Sequence, residues 1–505
     1  MSIRFTDVPE EANVITHSGN FHADDIFSLV LLLKILGNLV IFRSDSMLSE
    51  AHKFNPSAII FDIGYGAFDH HQKGGNGFHP TSDSTLKAIP YASFGLLWKE
   101  FGLKFCMNIA KNSVIANKLW EEMENTLVIG IDAIDNGIYP QSPEDYIIHR
   151  TMSVSNVISM LNPFSSQGET MIEALNQALF FAEIIFDVTV DRIICRLKGY
   201  TSSFQNNPKY FTANTVFSYA LLKKMYPNIT YEEISDLTSW DNYNYTFHTQ
   251  IPNNKYISKL PIPTATVGKI WESEGRKYCA SFYESAHAEY ITNFIRTYFI
   301  MGIDAHTNGI FPQTNPEYVH HRIYTIYDFI ESLNPIVYSE QAYKDCLYVA
   351  VKFALLLINK LERKVIDRLQ SQKYVEAKLR ESFRYTHNGK SLFNNPDLNI
   401  LVFDRHVQWQ DCIANSPLAK NIFFVISPSN KGGYVIQPVP CKYNKNGYRK
   451  GFPSSWYGLH GEELKKLTNI PTANFVHQKN GFIAAAEDLD GAIQMAKKAC
   501  EFAEI

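Results

Sequence analysis

The sequence predicts an α/β protein: a doubly wound, mainly parallel sheet domain, a degenerate duplicate of it, and a smaller α/β domain at the C-terminal end. Three observations carry this. Short uninterrupted apolar runs alternate with a longer helical pattern near the N-terminus, as buried parallel strands and their crossover helices do. A segment of the chain recurs at a fixed spacing. The repeat then stops near residue 373, where a new series of strand-like runs begins. At 505 residues the chain exceeds one hydrophobic core, and the expected domains are 1–200, 201–372 and 373–505.

Taken in order, "NVITHSG" reads as a strand ending in a polar loop. "DDIFSLVLLLKIL" reads as an apolar helix with acids in its first turn, where they face the positive end of the helix dipole. "LVIFRSD" and "AIIFDIG" complete the expected sheet. In an open α/β sheet, ligands sit beyond the carboxyl ends of the strands. His17, Asp62 and the triplet Asp69-His70-His71 all fall there.

The repeat sets "GIDAIDNGIYPQSPEDYIIHR" at 130–150 against "GIDAHTNGIFPQTNPEYVHHR" at 302–322, and Asn162 of "LNP" against Asn334. Upstream, "FHADDIFSLVLLLK" at 21–34 corresponds to "FTANTVFSYALLKK" at 211–224. Apolar and glycine positions persist, whereas His22 becomes Thr212, Asp24 becomes Asn214 and Asp135 becomes Thr307. The triplet's counterpart is "HTQ" at 248–250, while Asp62 corresponds to the retained Asp241. The second copy is therefore expected to keep the core without the chemistry, as a packing scaffold or a surface for homo-oligomers. Past residue 373, "LNILVFDR", "NIFFVISPS" and "GGYVIQPVP" read as strands and "LDGAIQMAKKACEFA" as an amphipathic helix.

Composition narrows the classes. A formal charge of −4 does not make the whole chain an electrostatic nucleic-acid binder. No apolar run approaches the roughly 18 residues of a membrane span. Seven scattered cysteines without a CxxC pair suit reduced thiols. With no leader-like N-terminus, the expectation is an intracellular protein of cytoplasm or nucleus, the mitochondrion being left open.

The polar residues at strand ends of the first copy are His17, His22, Asp24, Asp62, Asp69, His70, His71, Asp132 and Asp135. Imidazole and carboxylate without thiolate suit Mn²⁺, Mg²⁺ or Fe²⁺ rather than a structural zinc. The set exceeds what one ion needs, and two carboxylate-bridged ions would suit phosphoester hydrolysis. Singly, each residue has an ordinary reading as a loop histidine or a helix-end acid. Asp132 persists as Asp304 whereas Asp135 is lost, so Asp135 is read as the ligand and Asp132 as structural.

The order of these residues resembles the DHH phosphoesterase superfamily. "THSGNFHADD", "DHHQ", "DAIDNGI", "LNP", "FFVI", "FVHQKNGFI" and the Arg449…Trp456-Tyr457-Gly458-Leu459 loop resemble the Myg-type exonucleases (melanocyte proliferating gene family). The resemblance implies a 3′–5′ RNA exonuclease with two divalent ions, both Mn²⁺ or, as the alternative, Mg²⁺. It implies His17 and His22 on one ion, Asp24, His70 and Asp135 on the other, and Asp62 between them. His71 would face the scissile phosphate, with Asp69 orienting the histidine pair. Arg449 and Lys450 would contact phosphate and Trp456 and Tyr457 would stack on bases, the alternative for the aromatics being core packing. The chain departs from the pattern in its extra middle copy and in "NGFIAAAED", where the family has glycines. A pyrophosphatase or small-nucleotide phosphatase, and a metal-binding scaffold without turnover, remain as rival readings.

Overall fold

The computed structural model describes residues 2–44, 55–72, 75–81, 83–147, 149–163, 170–199, 209–228, 260–387, 399–429, 432–441, 447–477 and 481–502. Asp241 and the 248–250 counterpart of the histidine triplet lie outside these. The chain divides into two compact units, one running from Met1 to Lys364 apart from 165–167, the other from Val365 to Ile505.

The first unit carries a four-stranded, wholly parallel sheet of order β1-β3-β2-β4, from Ser2–Phe5 (β1), Val14–His17 (β2), Asn38–Ser44 (β3) and Ile59–Ile60 (β4). Val14 of β2 pairs with Ile41 of β3 on one side and Ile59 of β4 on the other. The short edge strand β1 was not anticipated; its residues alternate between exposed and half-buried, which leaves no apolar run to read. Between β2 and β3 runs α1 (Ala23–Leu36), closed by Gly37 at φ +78°, a left-handed position that glycine fills without strain. Eleven of its fourteen residues are buried, so it is a central helix and not a surface one. Further helices used below are α2 (Ser93–Leu97), α3 (Ile129–Asp135), α4 (Val154–Met160) and α5 (Met171–Leu197). Trp98 packs edge-on to Phe186 of α5, at 6.2 Å between ring centroids.

The repeated segment lies in the same unit. Its helices α6 (Ala213–Met225), α7 (Thr266–Ala280), α8 (Met301–Thr307) and α9 (Ile326–Ser332) stand at the sequence positions of α1, α2, α3 and α4. Among the described residues this half contributes no strand to either sheet.

Helix α10 (Glu340–His387) passes without interruption through residue 373, where the repeat ends. Its 48 residues hold neither Gly nor Pro, so nothing in the local chemistry stops it. The second unit holds a mixed five-stranded sheet of order β5-β6-β7-β9-β8. Its strands are Ile400–Val402 (β5), Phe424–Pro428 (β6), Tyr434–Pro438 (β7), Ala473–Val476 (β8) and Ala484–Ala486 (β9), with α11 (Gly461–Thr468) and α12 (Leu489–Glu501) alongside. Only β5 and β6 are parallel. The alanines of "NGFIAAAED", expected in a loop, form the buried interior strand β9, between β7 and β8.

Candidate metal centre

Adjacent parallel strands deliver the first two candidate ligand residues. His17 ends β2, and Asp62 follows β4 by two residues. Asp62 has φ +57°, a left-handed backbone that a non-glycine residue adopts at a cost. That turn reverses the chain, and the Asp62 N–H donates to Phe68 O at 3.0 Å. Asp69 secures the loop by accepting the Tyr65 N–H at 2.7 Å and the His71 N–H at 2.9 Å. The histidine pair is thereby folded back onto Asp62. His70 Nδ1 lies 3.2 Å from Asp62 and its Nε2 3.0 Å from Asp135, at the end of α3.

The start of α1 supplies the rest. His22 caps the helix and lies 3.9 Å from Asp135, with its side chain half exposed. Asp24 is 0% exposed, and neither of its carboxylate oxygens has a hydrogen-bond partner. Ligand atoms of His22, Asp24 and Asp135 lie within 4.8 Å of one another, as do those of Asp24, Asp25 and Asp62. A buried carboxylate without donors, beside three further acids, is costly unless a proton or a cation joins it. This is the structure's own test of the metal reading, and the residues fit it.

The electrostatics agree. Burial, then the charges of Asp135 and Asp62, hold the Asp24 carboxyl well above the usual range. Burial alone would lower His17, but Asp25 and Asp62 push it up to about 11; for His70, Asp135 and Asp62 outweigh burial and push it up to about 10. Against the opposing effect of burial, His71 holds Asp69 below the carboxylate range. A proton on each of these imidazoles stands where a bound cation would displace it.

Asp132 turns away from this cluster. It accepts the N–H groups of Ala92 and Gly95 at 2.9 and 3.1 Å and faces His79 Nε2 at 2.9 Å, so it anchors α2 to α3. Asp304 repeats the bond in the second half, accepting from Ala265 N–H at 3.0 Å.

In the second unit the expected substrate contacts have internal duties. Arg449 donates to the carbonyls of Ala419, Ile422 and Ile413, and Lys450 to Phe502 O at 2.6 Å. Trp456 is buried in the core against Phe452 at 6.2 Å, which removes it as an open stacking face. Tyr457 is half-buried at the edge of the same core. Core packing is the better description of Trp456, whose apolar area is already covered, whereas Tyr457 stays partly exposed.

Three residues were missed. Asp25 binds His17 Nε2 at 2.9 Å and accepts the His22 N–H at 2.9 Å, linking the two halves of "THSGNFHADD". Its replacement by Thr215 in the second half was the available signal. Buried Ser93 donates to Asp62 at 2.9 Å. Asn162 clamps the backbone before His22, accepting the Phe21 N–H at 2.9 Å and donating to Phe21 O at 2.8 Å.

The second half uses its exchanged polar atoms locally. Thr212 caps α6 by accepting the Thr215 N–H, Asn214 accepts the Val267 N–H, and Thr307 donates to Ile303 O. Among the described residues, every cluster of three or more candidate metal-ligating side chains falls in the first half.

The model of one family, MYG1_exonuc, described as "Uncharacterised protein family (UPF0160)", matches residues 13–208 and 233–500. The chain belongs to this MYG1 family. Similar members include a MYG1 protein of Saccharomyces cerevisiae, 30% identical over 30% of this chain and 47% of its own length. A MYG1 protein of Schizosaccharomyces pombe is 23% identical over 52% of this chain and 82% of its own. The Mus musculus relative, named MYG1 exonuclease, is 27% identical over 32% of this chain and 44% of its own. The chain thus spans about half the length of the Saccharomyces cerevisiae and mouse relatives it matches. The ligand order is consistent with the DHH superfamily, and no solved structure matches. All seven cysteines are free, and no described helix is long and apolar enough to cross a membrane.

Proposed function

We propose that this member of the MYG1 family is a divalent-metal-dependent phosphodiester hydrolase, acting as a 3′–5′ exonuclease on RNA or short oligonucleotides. Two divalent ions, Mn²⁺ or as the alternative Mg²⁺, would be held by His17, His22, Asp24, Asp62, His70 and Asp135. The observation that carries the proposal is Asp24, a fully buried carboxylate with no donor in the middle of those groups. The exonuclease names of its relatives point the same way.

When bound, such ions lower the pKa of water and neutralise phosphoryl charge. The side chains have distinct duties. Asp62 reaches both His17, at 3.1 Å, and His70, which suits the bridging position. Asp25 fixes the His17 ring and Asp69 the His71 ring, as carboxylates orient ligand imidazoles elsewhere. With Nδ1 engaged by Asp69 and the side chain 47% exposed, His71 offers its other nitrogen to a phosphoryl or leaving oxygen. Seven free thiols support an intracellular setting.

The test is incubation of the full chain and an Asp69→Ala/His70→Ala variant with end-labelled RNA, DNA, pyrophosphate and dinucleotides, with Mn²⁺ or EDTA. Manganese-dependent shortening of RNA from its 3′ end, absent in the variant, is expected. Turnover of pyrophosphate alone would make it a phosphatase, and no turnover on any substrate would leave a scaffold.

A further inference from the structure

The contacts between the two halves of the first unit come in exchanged pairs. Gln141 and Gln313 each donate an N–H to the other's carbonyl, both at 2.9 Å. The Val154 N–H donates to Tyr324 O at 3.1 Å, and the Ile326 N–H to Met152 O at 2.9 Å. Lys87 brackets Tyr318 through bonds to Glu317 and Val319, just as Leu260 brackets Tyr146 through bonds to Asp145 and Ile147. A Cβ on Gly130 would sit 2.5 Å from Arg322 O, and one on Gly302 2.5 Å from Arg150 O. Adding 172 to a residue number, or 173 for Lys87 and Leu260, turns each contact into its mate. Residue i meeting j while j meets i is the pattern of a two-fold, isologous dimer.

We infer that the second half, described over residues 209–228 and 260–334, is a built-in second subunit: it occupies in cis the face through which two copies of the first half would pair, and it braces the ligand-bearing helices. Tyr318 and Val319 pack on Ile89, Ala133 and Ile138, behind the helix that ends in Asp135. Tyr324 O holds the start of α4, which packs against α1 and leads to the Asn162 clamp on Phe21. Loss of ligands from the second half, with retention of its core, is what a subunit kept for bracing would show. The bracing part rests on the metal reading above; the pairing part does not.

The experiment uses the full-length chain. Gly302→Val, in the half without a ligand cluster, pushes a side chain into both Tyr327 of its own half and Arg150 O of the first. Calorimetric titration with Mn²⁺ should show about a tenfold loss of affinity, the scale seen when supports of ligands are removed, while heat unfolding stays cooperative. Separately, Gln141→Cys/Gln313→Cys places two thiols on a mutually bonded pair, where Cα atoms stand about 5.5 Å apart, within disulfide reach. Compared with the parent chain, oxidation should give a disulfide within one chain and leave Mn²⁺ affinity unchanged. Wild-type affinity in Gly302→Val would overturn the bracing role. Cross-links between chains would overturn the cis pairing, and this arm stands even where Gly302→Val does not fold. If the wild-type chain bound no Mn²⁺, the metal reading would fail instead, with the cross-link still deciding the pairing.

Discussion

Asp25 shows how a residue can be visible in a sequence and still be misread. An acid in the first turn of a helix is ordinarily a partner of the dipole, and nothing local marks this one as different. Its partners, His17 and the His22 N–H, become apparent only once β2 and α1 are folded together. Asp25→Asn removes the charge that holds the His17 ring, and Mn²⁺ affinity measured by titration should fall about 10- to 100-fold. His79 was not singled out at all, yet it is buried between Glu124 and Asp132 at 2.7 and 2.9 Å. Burial would lower its pKa, but the two acids push it up to about 9. A raised folded value means the stabilisation is complete below the ordinary value near 6.5 and is lost as pH rises through about 9. Denaturant unfolding of wild type and His79→Phe should therefore differ by about 3 kcal/mol at pH 6, and the gap should shrink by pH 10. A gap that does not vary with pH would show that packing, not charge, does the work.

At the scale of elements, the strands and helices that carry the ligands were legible because their apolar runs are bounded by polar loops, as in "NVITHSG" and "AIIFDIG". The strand β9 was not, since three alanines carry little β signal and only the neighbouring strands make them one. Near residue 373, where the repeat ends, the chain continues as one helix without Gly or Pro, so no local breaker marks the position. The "LNP" segment was recognisable as a motif, but its role required a contact across 141 residues of sequence. Asn162→Ala leaves the buried Phe21 N–H and carbonyl unpaired, and denaturant unfolding should show a loss of about 1–3 kcal/mol per orphaned group. Asn334 makes the same two bonds to Phe211, at 3.0 and 2.8 Å, so Asn334→Ala should cost a similar amount. Unequal losses would mean that the two clamps are not equivalent.

Across the first unit as a whole, the repeat was legible from residue spacing alone, while the exchanged contacts were not. They run largely through extended loop segments, whose pairing leaves no periodic trace in sequence. Among the described residues the candidate ligands cluster in one half, while the apolar and glycine positions recur in both. The central claim, a metal-binding hydrolytic site built around Asp24, is tested most directly by counting Mn²⁺ per full-length chain, for wild type and Asp24→Asn, by calorimetric titration. Wild type should bind two ions that EDTA removes, whereas Asp24→Asn should lose at least one. Without metal that variant should melt at a higher temperature, because a buried carboxylate whose ionisation is disfavoured has been made neutral. No binding by wild type, or two ions bound equally well by Asp24→Asn, would contradict the account.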